Sequence, residues 1–354
     1  MSVQVVEKRG KPLAGSHQKV ANWKELAQAP AVPGLAFRRF RGEADYPAMS
    51  AVINGSKEAD GLEWANSVED IERNYRHLTN CDPETDMLFA EVDGHVVGYS
   101  RVWWSQEAEG AWIYQHFAHL LPEWRGRGIR RALVRSNERR LREVASGHPE
   151  DGPRFFEAWL SDTESHWASL LESEGYEAVR HGFSMVRPDL EGIPDLPLPE
   201  GVEVRPVNPQ HVPAIWAAAK EAFRDHWHYS EDEWSLAHLR EWQESPTYTP
   251  ELWQVAWAGE QVAGMVQNFV NEAENEEYDR KRGYTEGICV CRPWRRQGLA
   301  RALIARSFQV LKDQGMTEAA LGVDADNPNG ALRLYKSMGF QVEKRHMTFR
   351  KALV

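Results

Sequence analysis

Residues 286–303 read Glu-Gly-Ile-Cys-Val-Cys-Arg-Pro-Trp-Arg-Arg-Gln-Gly-Leu-Ala-Arg-Ala-Leu, the pattern of a strand, a tight turn and a helix start. Ile288 and Val290 alternate with smaller residues, as a strand requires. Pro293 has no N–H to give a ladder and stops the strand. Gly298 lets the backbone turn closely where a side chain would intrude. Beyond it Leu299, Leu303, Ile304 and Leu311 fall at helical spacing. The helix therefore opens from a loop of unpaired backbone N–H groups, which with its dipole makes an anion site. Arg292, Arg295, Arg296 and Arg301 crowd that end although the dipole there disfavours cations, in a chain of formal net charge -11. A bound polyanion such as a pyrophosphate explains the cluster. A solvated basic helix end is the alternative.

A second segment lies downstream: Asn327-Pro-Asn-Gly-Ala331-Leu-Arg-Leu-Tyr335-Lys-Ser-Met-Gly339-Phe340. Taken with Arg295-x-x-Gly298-x-Ala300, which follows a strand and opens a helix, it resembles the paired motifs of the GNAT superfamily of N-acetyltransferases. The resemblance implies that the loop cradles the pyrophosphate of acetyl-coenzyme A. Arg295, Arg296, Gln297, Gly298, Leu299, Ala300 and Arg301 would form that cradle. It also implies that the pantetheine arm pairs with the strand carrying Ile288 and Val290, and that Tyr335 is the general acid for the leaving thiolate. Tyr335 as a core residue is the structural alternative. Asn327 would bind coenzyme A or cap the following helix.

Composition narrows the class. A length of 354 residues suggests two or three domains, and 42% hydrophobic residues are ample for cores. The acidic balance argues against a nucleic-acid binder and an anionic membrane surface. No apolar run is long enough to span a membrane. Cys81, Cys289 and Cys291 lack disulfide or metal-ligand spacing, so a reduced, cytoplasmic setting without a metal is expected. Cys289 and Cys291 point to one face of their strand and read as packing residues.

Along the chain, residues 1–34 form an N-terminal extension with a possible short helix at Val20–Leu26. Residues 35–190 form a first α/β half: strand, two helices, a hairpin across Asp93-Gly94, a further strand, then helix, strand, helix, with Tyr176–Val186 completing the sheet. Residues 191–201 are a Pro-rich linker. Residues 202–354 repeat the order, with a helix expected at Ser230–Trp242 from the capping-box spacing of Ser230 and Glu233. The repeat is visible in residues: Trp124-Arg125-x-x-Gly128-x-x-Arg131-Ala132-Leu133 returns as Trp294-Arg295-x-x-Gly298-x-x-Arg301-Ala302-Leu303. The resemblance thus covers both halves. It implies two tandem GNAT-like domains of mycothiol-synthase-like architecture, each a mixed, mostly antiparallel sheet flanked by helices.

The halves are chemically unequal. Arg130 stands at the position of Ala300, Thr163 at that of Asn327, Leu171 at that of Tyr335 and His116 at that of Glu286. Arg130 would crowd the cradle or touch a phosphate itself. The first half is read as degenerate and the second as catalytic. Acetyl transfer needs a neutral amine aligned with the thioester, and Glu286, in the strand facing the cleft, is the general-base candidate. Its alternative is an ion pair with a nearby arginine. The run Asp225-His226-Trp227-His228 lies where the family walls its acceptor site and offers further base or substrate contacts. The function expected is acetyl transfer from acetyl-coenzyme A to a primary amine of a small molecule, in a monomer or homodimer. The competing readings are a non-catalytic acyl-coenzyme A module and a protein acetyltransferase.

Overall fold

The computed structural model describes residues 29–327 and 330–354. The expected helix at Val20–Leu26 lies outside them, as do Pro328 and Asn329 of the second motif. The first half contributes strand β1 (Leu35–Arg38), helices α1 (Tyr46–Asp60), α2 (Val68–Arg76) and α3 (Pro83–Asp86), and strands β2 (Met87–Val92), β3 (His95–Gln106) and β4 (Trp112–Leu120). It continues with α4 (Ile129–Ala145), β5 (Arg154–Ser161), α5 (Ser165–Ser173) and β6 (Glu177–Arg187). The second contributes β7 (Glu203–Arg205), α6 (Val212–Phe223), α7 (Leu236–Gln243), β8 (Gln254–Ala258), β9 (Gln261–Val270) and α8 (Glu272–Glu277). It ends with β10 (Arg282–Val290), α9 (Leu299–Asp313), β11 (Glu318–Asp324), α10 (Ala331–Ser337) and β12 (Gln341–Ala352).

The period-2 alternation of the strands sorts their side chains into separate cores on the two faces of the sheet. On β2, Leu88, Ala90 and Val92 join the core under α4 and α5, while Met87 and Phe89 join the one under α1 and α2. On β8, Ala256 packs toward α9 and α10, while Val255 and Trp257 pack toward α6. Helix α2 starts at a reciprocal capping box formed by Ser67 and Asp70. The expected helix from Ser230 does not form as one piece. Ser230 is buried, a 3₁₀ turn occupies Asp232–Trp234, and Ser235 accepts from the His238 N–H to cap the shorter α7.

The twelve strands among the described residues form one mixed, mostly antiparallel sheet in the order β1-β2-β3-β4-β5-β12-β6-β11-β10-β9-β8-β7. Strand β6 does not complete the first half's sheet as expected. It pairs with β11 and β12, and β12 in turn lies against β5. The two halves thus exchange their final strands, and the sheet runs unbroken past the linker.

Candidate active site

Each half brings two parallel strands together at one end and lets them diverge at the other. Strands β10 and β11 pair only over Arg282–Tyr284 and Glu318–Ala320. Beyond Tyr284 the edge of β10 that faces β11 has no strand partner among the described residues, leaving main-chain groups of Ile288 and the Val290 N–H for an extended ligand, the Val290 carbonyl being taken by Arg295. On its other edge β10 carries a bulge against β9 between Glu286 and Cys289. Gly287 makes the bulge possible: its φ is +57, and a Cβ there would lie 2.0 Å from the Gln267 side-chain oxygen. Cys289 and Cys291, buried, pack beneath.

The divergence opens a cleft of about 1050 Å3 lined by β10, the start of α9, the end of β11 and α10. Of the residues expected at the site, Glu286, Ile288, Val290, Arg295, Arg296, Gly298, Leu299, Ala300, Arg301, Asn327 and Tyr335 all line it, with His226 at its wall. Gly298 has φ +84, and a Cβ there would meet nothing within 4 Å, so the loop is open to a ligand. The arginines divide. Arg292 bonds Asp225 at 2.7 Å, and Arg295 bonds the Val290 and Ala222 carbonyls and reaches Asp225 at 3.4 Å. These two brace the loop against the end of α6, and Asp225 is spent on them. Arg296 and Arg301 have no partner among the described residues and remain available to an anion. Gln297 turns back to the Pro293 carbonyl and does not line the cleft. Asn327 is not the cap of α10; Gly330 holds that position.

Glu286 makes no ion pair among the described residues. Its carboxylate accepts the Gly322 N–H at 2.8 Å across the gap between the strands. Burial pushes its pKa up to about 7, and the single N–H only partly offsets that. The Tyr335 ring packs in the core beneath α9 and α10, 6.1 Å from Phe340, yet the residue also lines the cleft. Its phenol has no hydrogen-bond partner among the described residues. Burial first, then the charge of nearby Glu286, holds it well above the usual tyrosine range and hence protonated. The two candidate proton carriers therefore share one cleft. Among the described residues no group of three or more His, Cys, Asp and Glu side chains could hold a metal.

In the first half the same geometry is closed from within. Strands β4 and β5 also pair only at one end, Trp112–Gln115 with Arg154–Glu157, but β3 and β4 run in unbroken register without a bulge. Arg130 neither crowds a phosphate loop nor faces solvent. It is buried, donates to the Ala118 carbonyl at 2.6 Å and stacks 4.2 Å over Trp167. His116 bonds the Tyr176 hydroxyl at 2.8 Å, and burial drops its pKa to about 3. A Cβ on Gly128 would meet Pro30 at 3.2 Å, so the segment before β1 lies over this loop. Trp167, where the second half has Ala331, was the cue sequence reading passed over.

The acceptor-side residues also separate. Trp227 and His228 lie not in the cleft but in a chamber beside it, to which the first half lends Glu157 and Trp159. His228, at φ +68, bonds Glu157 at 2.7 Å.

A family model described as "Acetyltransferase (GNAT) family" matches residues 56–172 and again 216–340. A mycothiol acetyltransferase of Geodermatophilus obscurus is 27% identical over 313 residues, covering 87% of this chain and 95% of that protein. One of Streptomyces bingchenggensis is 28% identical, covering 75% of this chain and 80% of that one. Among solved structures, a GCN5-related N-acetyltransferase from Sphaerobacter thermophilus superposes with TM-score 0.68 at 25% identity, covering 90% of this chain and 95% of that one. A tandem GNAT protein from the clavulanic acid biosynthesis pathway gives TM-score 0.63 at 14% identity over 90% and 98% of the two chains.

Proposed function

Since the chain belongs to the acetyltransferase (GNAT) family, we propose that it transfers the acetyl group of acetyl-coenzyme A to a primary amine of a small molecule, and that residues 202–354 carry the chemistry while residues 35–190 are a degenerate partner domain. The observation that carries this reading is the cleft where β10 and β11 part, which holds Glu286, Tyr335 and the open Gly298 loop together. The cofactor fits what is present. Backbone N–H groups from Gly298 to Arg301, with the unpartnered Arg296 and Arg301, suit its pyrophosphate. The unpaired edge of β10 suits its pantetheine arm. When bound, it supplies the activated acyl carbon.

In this reading Glu286 takes the proton of the incoming ammonium, directly or through water, and leaves the neutral amine as nucleophile. Attack on the thioester carbon forms a tetrahedral oxyanion, and main-chain N–H groups of the bulge near Val290 favour that charge. Collapse breaks the C–S bond, Tyr335 gives its proton to the thiolate, and the second proton of the attacking nitrogen, released as the amide forms, restores the phenol. The first half walls the acceptor side, so a small molecule fits better than a protein. The name of the curated relatives, mycothiol acetyltransferase, supports a small acceptor without specifying it for this chain. The test is thiol release from acetyl-coenzyme A across a panel of small amines. Release with an amine, abolished in Gly298→Glu, supports the assignment. Thiol release only with peptide substrates would overturn it.

A further inference from the structure

Beyond the cofactor cleft, on the face of the sheet that carries α6 and α7, two further chambers adjoin in series. The nearer, of about 370 Å3, lies between the halves, and Phe223 and His226 line both it and the cofactor cleft. The farther, of about 590 Å3, lies between α2 and α7 and is walled by Trp216, Trp234 and Trp242. Glu233 and Trp234 line both chambers and so stand at the junction.

Four carboxylates face this trench, and three are already matched. Glu157 takes His228 and Arg350, each at 2.7 Å. The Asp70 carboxylate accepts from Arg73 and from the Ser67 N–H and hydroxyl. Glu241 faces Asn74 at 3.4 Å and His238 at 3.6 Å. Glu233 has neither a hydrogen bond nor an ion pair among the described residues. It is solvent-accessible within the trench, and the charged or titratable groups felt there are His228, His238, Glu157 and Asp232. Beside it the rings of Trp216 and Trp234 lie 4.8 Å apart. Trp159, 49% exposed, faces the nearer chamber.

A carboxylate with no ion pair of its own, set beside tryptophan faces and near a His228 already bonded to Glu157, is the complement of an ammonium group, which both the charge and the ring quadrupoles attract. Glu233 does not line the cofactor cleft, so the group it meets is not the amine that reacts. Resting on the proposed transfer to an amine, we infer that the acceptor is a di- or polyamine whose distal ammonium is received by Glu233 and Trp234. The nearer chamber would hold the apolar spacer between the two nitrogens.

The test compares n-alkylamines with α,ω-diaminoalkanes of matched length, and with spermidine, by thiol release in the full-length protein. The expected result is a kcat/KM for diamines at least about tenfold above that of matched monoamines, the size of one partly desolvated charge pair. Glu233→Gln should bring that ratio toward one, chiefly through KM. A wild-type ratio near one, or a ratio unchanged by Glu233→Gln, overturns the inference, because a merely structural residue would lower both amines alike. Calorimetry of spermidine on the coenzyme A-loaded protein separates this from the parent reading. Binding that Glu233→Gln removes, without any amine being acetylated, would sustain the site while sinking the transferase assignment. Absence of binding with acetylation of monoamines intact would do the reverse.

Discussion

At the residue scale the central feature is a carboxyl group held near neutrality by its surroundings. Glu286 has one N–H partner and a half-buried position, and its pKa of about 7 places the change of form within the working range of an enzyme. The base acts deprotonated, so kcat/KM should rise with pH up to about 7 and flatten above it. Glu286→Gln should remove that limb and lower the rate by roughly 10²-fold, the usual worth of a positioned base. A pH–rate profile with one amine checks both. Tyr335→Phe removes only a hydroxyl from a ring that is otherwise core. It should lower kcat by about 10²-fold and leave acetyl-coenzyme A affinity within about twofold. Loss of affinity in step with kcat would instead make the hydroxyl a binding group.

At the scale of elements the two loop–helix units share a sequence motif but not an exposed surface. Gly298 looks into open space, whereas Gly128 is covered by Pro30 and the slot behind it holds the Arg130–Trp167 stack. Titration should therefore find one acetyl-coenzyme A per chain, and Gly298→Glu should abolish that binding. Gly128→Glu should leave the stoichiometry at one, while lowering the melting temperature through its left-handed φ and the clash with Pro30. A stoichiometry of two would sink the view that the first half is closed. Much of this was legible in sequence, because the motif sits on local strand–turn–helix geometry that neighbouring residues dictate. The substitutions Arg130, His116 and Leu171 announced a departure. Its form was not legible, because Arg130 turns inward to a main-chain carbonyl rather than outward to a phosphate. Nor was the division of the arginines visible. Arg292 and Arg295 find Asp225 across some seventy residues of sequence, and no local pattern records that pairing. The bulge was likewise hidden, since Gly287 in a strand marks only a place where a bulge is tolerated.

At the scale of the molecule the halves are joined by backbone, by charge and by one strained residue. Tyr229 accepts the Ala108 N–H at 3.0 Å, and His228, in the left-handed region, reaches Glu157 of β5. The pairing with Glu157 outweighs burial and raises the His228 pKa to about 9, above its ordinary 6.5. A raised folded-state value means the bridge contributes fully below pH 6.5, loses strength between 6.5 and 9, and contributes nothing above. Linkage puts its full worth on the order of 3 kcal/mol. Urea midpoints should fall across that window in the wild type, and His228→Gln should flatten that part of the profile. An unchanged slope would show that the bridge does not tie the halves. Which strands lie together was the part sequence could not supply. Alternation in 177–187 and 341–352 marks strands with two faces, but period 2 carries no address for the neighbour.

The exchange of β6 and β12 bears on how such a chain is made. While it emerges from a ribosome, β5 has an exposed edge and no partner on that side until Gln341–Ala352 has been synthesised, and β6 has no partner on either side until Glu318–Asp324 and then Gln341–Ala352 follow. The first half therefore cannot reach its final pairing while the second is still being translated. A nascent chain of the first repeat alone would present open strand edges, which are templates for aggregation. The duplicated domain has become a single unit of biosynthesis, and stalled or shortened chains should call on chaperones even though each repeat carries a core of its own.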